Sequence, residues 1–152
     1  MSSFKTEEII LKKQEIHSLD LSLITKKLIE KHGWSVDEAC ECEKLYKNFL
    51  FLSLKYWGKN VLIPTDEIDI YWHEHILDTK KYMKDCDNIF NEYFHHCPYI
   101  GSNQSDINSE KAKDLFNETQ TLFYKEFGYY MCEIRVSLFG YLKHFISKIF
   151  QK

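Results

Sequence analysis

Apolar residues recur along most of this chain every three or four positions, which is the period of an α-helix. This spacing predicts a first helix over residues 19–31, with Gly33 placed to end it in a left-handed conformation. The next helix is predicted to start at Ser35, which can form a capping box with Glu38, and to run as far as Gly58. Its second half is apolar on nearly every side, so we expect a central helix with neighbours on several faces.

The longest predicted helix, here called the motif helix, carries the segment YWHEHILDTKKYMKDC. Pro64 blocks any continuation of the preceding helix, Thr65 can cap the new one, and the pattern then continues over 66–94. A polar loop, a helix over 109–127 and an amphipathic C-terminal helix over 134–152 follow. Prolines and glycines are few, which disfavours a many-turned β fold. The predicted fold class is all-α, a single compact bundle of about five to six helices with a long central motif helix.

Composition and charge narrow the classes of function. The 152 residues suit one domain over 1–152, and the formal net charge of −3 with no basic stripe makes nucleic acid an unexpected partner. Neither a secretory signal nor a run of about 18 apolar residues is found, so we expect a cytoplasmic protein without a transmembrane segment. Five cysteines are an odd number, which in that compartment predicts free thiols. The helix over 134–152 is expected to dock on the core, although a membrane surface would accept the same pattern.

The side chains of the motif helix fall on two faces when its residues are placed at 100° intervals. One face is predicted to be buried and consists of Ile68, Trp72, His75, Thr79, Tyr82, Cys86, Ile89, Phe90 and Tyr93. His73 lies about 160° from His75, on the side of Asp69. The two histidines therefore cannot bind one ion from a regular helix.

Each of these histidines has a carboxylate within one helical turn. His73 lies four residues after Asp69, and His75 lies three residues before Asp78. Either pair could supply two ligands of an open-coordinated zinc or iron ion, with the other ligands coming from elsewhere in the fold. The familiar zinc-protease motif needs a second histidine where this chain has Leu77, so that interpretation is rejected. A histidine and a carboxylate in a purely structural network are the competing interpretation.

Further polar groups lie beyond these pairs. A supporting polar network is expected along the same helix, formed by Tyr82, Asp85 and Cys86. His95 and His96 follow the end of the helix, and together with Tyr99 they make a second candidate site. A straight helix would place His95 about 30 Å from His75, which is too far for both to bind one ion.

At these positions the chain resembles the glycine-rich-domain-like proteins, whose plant members carry W-H-x-H-x-L followed by Y-x-x-D-C. Bacterial stand-alone members read close to I-D-x-x-W-H-x-H-I-L-D-T and end in H-H-x-P-Y-x-G. The matching positions are Ile68, Asp69, Trp72, His73, His75, Ile76, Leu77, Asp78, Thr79, Tyr82, Asp85, Cys86, His95, His96, Pro98, Tyr99 and Gly101. The resemblance spans a motif region of about residues 33–101 and departs at Asn91, where the bacterial pattern has glycine. It implies a helical module without a well-defined reaction.

Two functions are consistent with these residues. The leading hypothesis is a metal-binding helical domain with zinc or iron, in which His73, His75, Asp69 and Asp78 are the candidate ligands. Whether it is an enzyme is left open; zinc would activate water and iron would use dioxygen, on an unidentified substrate. The alternative is a non-enzymatic module that binds a protein or a small molecule and uses its His, Asp and Tyr side chains as a structural polar core.

Overall fold

The computed structural model describes residues 6–100 and 107–131, and every regular element within these ranges is an α-helix. The helices are α1 (Thr6–His17), α2 (Ser22–His32), α3 (Val36–Lys55), α4 (Asp66–Leu77), α5 (Thr79–Phe90) and α6 (Ser109–Phe127). The predicted all-α class is confirmed. Helix α1 has no counterpart in the sequence prediction because its apolar pattern is sparse, with Ile16 buried and Ile9 half-buried against the core.

Several helix ends lie where the local sequence predicts them. The Ser35 hydroxyl accepts a hydrogen bond from the Glu38 amide, and the Glu38 carboxylate accepts one from the Ser35 amide, so the predicted capping box is present. Gly33 ends α2 at φ 68°, a left-handed conformation that costs an L side chain roughly 1–2 kcal/mol. Thr65 caps α4 by accepting a hydrogen bond from the amide of Ile68. These caps fix where α3 and α4 begin.

Helix α3 is the centre of the bundle, as its apolar pattern predicts. It packs against α1, α2, α4 and α6, and its side chains at Tyr46, Phe49 and Leu52 are fully buried. Fully burying a leucine or phenylalanine contributes about 1.5–3 kcal/mol, so this contact surface is a main source of stability. Because α4 lies directly on α3, one side of α4 is in the core and the other side is turned away from it.

The motif helix is not continuous, which corrects the prediction of one helix over 66–94. It is divided at Asp78, where the backbone leaves the helical region at φ −83° and ψ 70°. The Asp78 carboxylate accepts a hydrogen bond from the amide of Lys81 and so caps α5. The apolar periodicity conceals the interruption because Tyr82 and Cys86 are still buried after it.

The two ends of α5 change two of the positions predicted to be buried. Thr79 and Tyr93 are exposed, whereas the other members of that face are buried. Thr79 is the first residue of α5, and Tyr93 comes after Asn91, where α5 ends. Asn91 has φ 57°, and asparagine is the residue after glycine that most readily adopts this left-handed conformation.

The structure also bears on the remaining sequence predictions. Within the described ranges, no helix combines the length and the apolar character that crossing a bilayer requires. The four cysteines in these ranges are free thiols, as predicted. The predicted C-terminal helix over 134–152 lies outside the described residues, and so does Gly101. The single-domain organisation and the cytoplasmic location remain predictions.

Candidate metal centre

Helix α4 presents Asp69 and His73 on the side that is turned away from the core. The two residues are one turn apart, and Nδ1 of His73 lies 3.3 Å from Oδ2 of Asp69. The side chains are 48% exposed for His73 and 35% exposed for Asp69. The pair that the i, i+4 spacing predicts is therefore formed, and it is open to small solutes.

The segment after α5 brings a third side chain to this pair. This segment comprises residues 91–98 and is called the returning segment below. Asn91 redirects the chain at the end of α5, and Phe94 then stacks on Trp72 of α4 with ring centroids 4.6 Å apart. His96 meets the same indole edge-on, again at 4.6 Å. Aromatic pairs contribute about 0.5–1.5 kcal/mol beyond the burial of their surface, so these contacts hold the returning segment against α4.

Asp69, His73 and His96 form a His-His-Asp cluster that could hold a metal ion. Nε2 of His96 lies 2.7 Å from Oδ1 of Asp69, and the two imidazole centroids are 4.4 Å apart. One ligand atom from each residue lies within 4.8 Å of the other two. Ligand atoms around a tetrahedral zinc ion are about 3.4 Å apart, since zinc bonds are about 2.1 Å long. Small side-chain movements would bring the three atoms to that spacing.

The Asp69 carboxylate bridges the two imidazoles of the cluster, with one oxygen toward each ring. A carboxylate only accepts hydrogen bonds, so Nε2 of His96 carries the proton in this contact. A metal ion would replace that proton, and binding would release it. His96 is only 12% exposed. The cluster therefore combines one well-packed ligand with a half-exposed one, His73, which leaves a side open.

His75 lies on the opposite side of α4 and is almost fully buried. Its Nδ1 atom is 2.9 Å from the Tyr46 hydroxyl, and its Nε2 atom is 3.0 Å from Oδ2 of Asp85. Lys81 donates a further hydrogen bond of 2.8 Å to the same carboxylate oxygen. Both ring nitrogens of His75 are occupied, so this arrangement leaves neither of them for a metal ion.

The protonation states in this buried group follow from its hydrogen bonds. Burial raises the pKa of Tyr46, so its hydroxyl keeps its proton and can donate to His75. Burial also raises the pKa of Asp85, but hydrogen bonds from His75 and Lys81 outweigh burial and hold that pKa below its usual range. The Asp85 carboxylate is therefore charged and accepts from both neighbours. The result is a satisfied polar network within the core, called the His75 network below.

The other residues predicted around His75 have different roles. Asp78, expected as a ligand beside His75, is exposed and caps α5 instead. The Tyr82 hydroxyl accepts a hydrogen bond of 2.8 Å from the Trp72 indole and lies 2.5 Å from the Phe94 carbonyl, to which it donates. Burial raises the pKa of the Cys86 thiol, which disfavours the thiolate form that binds metals. Through these two hydrogen bonds, Tyr82 holds the returning segment against α4, and its hydroxyl takes no part in the His75 network.

The second candidate site is divided by the structure. His96 joins Asp69 and His73, whereas His95 is exposed and lies against the ring of Tyr93, with centroids 4.8 Å apart. Tyr99 is also exposed. The separation of about 30 Å expected along a straight helix does not apply, because the motif helix is interrupted at Asp78.

Two long-range contacts that define these groups have no signal in the local spacing of residues. Tyr46 comes from α3, 29 positions before His75, and no local spacing indicates that pairing. The contact of His96 with Asp69 is not predicted, because the sequence pattern indicates one continuous motif helix. Asp78 and Asn91 are the available signals, since each is a residue type typical of a helix end.

The fold and the cluster define an all-helical domain with a candidate metal centre on the outer side of α4. The model of the UCP032817-like family matches residues 11–119, and the chain belongs to that family. The family is uncharacterised, so membership supplies no activity. The resemblance to glycine-rich-domain-like proteins is wrong as a family assignment, because the shared motifs are short whereas this match covers most of the chain. No curated protein and no solved structure matched the chain.

Proposed function

We propose that this protein is a metal-binding helical domain whose ion is held by Asp69, His73 and His96. The observation that carries the proposal is the convergence of two imidazoles and a carboxylate from two segments, with Asp69 and His96 27 positions apart. Imidazole nitrogen and carboxylate oxygen are the donors that zinc and ferrous iron use in proteins. The ligand set therefore fits the zinc or iron expected from the sequence.

Three protein ligands leave at least one coordination position for another molecule. A zinc ion held in this way lowers the pKa of a bound water molecule, and two histidines with one carboxylate around iron are typical of oxygenases. Structural zinc sites instead use four protein ligands and are closed. The half-exposed His73 leaves the cluster open, which favours an ion that binds or activates a small molecule over a structural one.

The competing function is a non-enzymatic interaction module without a metal. The observation in its favour is the direct contact of 2.7 Å between His96 and Asp69. A charge-assisted hydrogen bond of this length could by itself fasten the returning segment to α4. The two functions differ in whether the cluster needs an ion for its role.

Elemental analysis of untagged protein after incubation with zinc, and separately with ferrous iron under anaerobic conditions, tests the proposal. We expect about one metal ion per chain in the wild type and a near-complete loss in His73→Ala. His95→Ala is the matched control, because His95 is an exposed neighbour of the cluster that is not one of its members. It should keep the wild-type metal content.

Thermal unfolding with and without a chelator separates the two functions. A ligand that binds only the folded state stabilises it, by about 2.7 kcal/mol at 100 times its Kd, so EDTA should lower the melting temperature of metal-loaded wild type. It should not affect His73→Ala. A metal content near zero in both proteins, with melting temperatures insensitive to EDTA, would show that the cluster is a metal-free clamp.

A further inference from the structure

A cleft of about 600 Å³ lies against the His-His-Asp cluster, and Asp69, His73 and His96 all line it. This volume is within the range of small-molecule sites, roughly 300–1,000 Å³. Most of its other lining residues come from the segment before α4 and from the segment that returns after α5. An ion in the cluster would therefore be part of the wall of this cleft.

The wall beside the cluster is aromatic. Trp57 lies 5.4 Å from Phe94 between ring centroids, Phe94 stacks on Trp72, and Trp72 meets His96. Trp57 and Phe94 are only half-buried, so part of each ring is accessible. The apolar surface is extended by further lining residues, among them Val61, Leu62, Pro64 and Ile100. An apolar group placed along this wall would be removed from water while its polar end remained near His96.

The sign of the charge on the carboxylates and amines that line the cleft selects the ligand. Among the residues that the structure describes, those that line the cleft include Asp66, Asp69 and Glu92 but no lysine or arginine. A divalent ion would keep one positive charge beside Asp69, and Asp66 and Glu92 add two negative charges, so the lining would have no net positive charge to attract a polyanion. Phosphate groups are normally recognised by arginine, lysine or several backbone amides, so a polyphosphate would meet repulsion here. The charges favour a ligand that is neutral or carries one negative charge.

We infer that this cleft binds a small aromatic or branched aliphatic molecule with at most one negative charge, which coordinates the metal ion through one donor group. The inference rests on the proposed function, since the donor group needs the ion to coordinate. The apolar part lies along the wall of Trp57 and Phe94, and the donor group takes the open coordination position. Nucleotides and other polyphosphates are outside this class.

Spectroscopic titrations of the cobalt(II)-loaded protein test the inference, because cobalt occupies sites of the zinc type and has visible absorption bands. The probes are benzohydroxamate, acetohydroxamate and inorganic pyrophosphate. The two hydroxamates present the same donor group and differ in a phenyl ring against a methyl group. Their affinity ratio for cobalt ions in buffer is measured in parallel as the reference.

The affinity ratio of the two hydroxamates for the protein is divided by their ratio for cobalt ions in buffer. After this correction, we expect benzohydroxamate to bind at least about tenfold more tightly than acetohydroxamate, because its ring is buried against the aromatic wall. Pyrophosphate should bind more weakly than either relative to its own affinity for cobalt in buffer. Equal corrected affinities for the two hydroxamates, or an enhanced affinity for pyrophosphate, would overturn the ligand class while the proposed metal site stands. Protein that takes up no cobalt at the cluster would overturn both.

Discussion

His73 and His75 are two positions apart on α4 and have opposite environments. His73 is half-exposed and faces Asp69 and His96 at the edge of a cleft. His75 is buried, and Tyr46 and Asp85 occupy both of its nitrogens. A helix turns through about 200° over two residues, so neighbouring identical residues reach opposite sides. Whether a histidine can bind a metal ion therefore depends on whether its nitrogens already have hydrogen-bond partners within the core.

The largest expected effect is the loss of stability in His75→Ala. This change removes a buried ring and takes one hydrogen-bond partner from both Tyr46 and Asp85, which should cost about 3 kcal/mol of unfolding free energy. The matched control, His73→Ala in metal-free protein, removes an exposed side chain and should cost less than about 0.5 kcal/mol. Urea unfolding of both variants measures the difference. Losses of similar size would remove the distinction between the two histidines.

A smaller effect is expected on the metal affinity of Tyr82→Phe. Tyr82 ties Trp72 to the carbonyl of Phe94, two residues before His96, so it positions a ligand that it does not touch. Loss of such a supporting group lowers metal affinity by about 10–100-fold, and we expect about tenfold here. Zinc titration calorimetry measures this.

Tyr46→Phe is the matched control for this experiment. Tyr46 is also a buried tyrosine with a hydrogen-bonded hydroxyl, but its partner is His75. Removing either hydroxyl should cost about 1–3 kcal/mol of stability, because each leaves a buried partner unsatisfied. Only Tyr82→Phe should weaken zinc binding. Equal zinc affinities in the two variants would show that Tyr82 has no influence on the cluster.

The smallest expected effect is on the dependence of stability on pH. Hydrogen bonds from His75 and Lys81 hold the pKa of Asp85 below the unfolded value of about 3.9 despite burial. The stability contributed by this group is therefore fully present above about pH 5 and is lost as the pH falls through the lower folded-state pKa. Asp85→Asn should be less stable than wild type at pH 7 and lose less stability on acidification below pH 5. Urea unfolding at a series of pH values tests this, and parallel curves would contradict it.

Much of the fold can be predicted because helix caps, helix ends and apolar stripes depend on residues that are close in the sequence. The capping box of Ser35, the left-handed Gly33 and the apolar stripe of α3 each depend on residues within a few positions. Asp69 and His73 are paired for the same reason. The contact of His96 with Asp69 depends instead on a helix end at Asp78 that the apolar period does not show. The partner of His75 on α3 depends on how two helices pack, which no spacing within either helix specifies.

The metal site is tested most directly by the anomalous difference map of a crystal of zinc-loaded protein, recorded at the zinc absorption edge. We predict one strong peak about 2.0–2.2 Å from Nδ1 of His73, Nε2 of His96 and an oxygen of Asp69. We also predict no peak beside His75. A map without a peak at the cluster, or with its strongest peak at another group of side chains, would contradict the assignment of the metal to Asp69, His73 and His96.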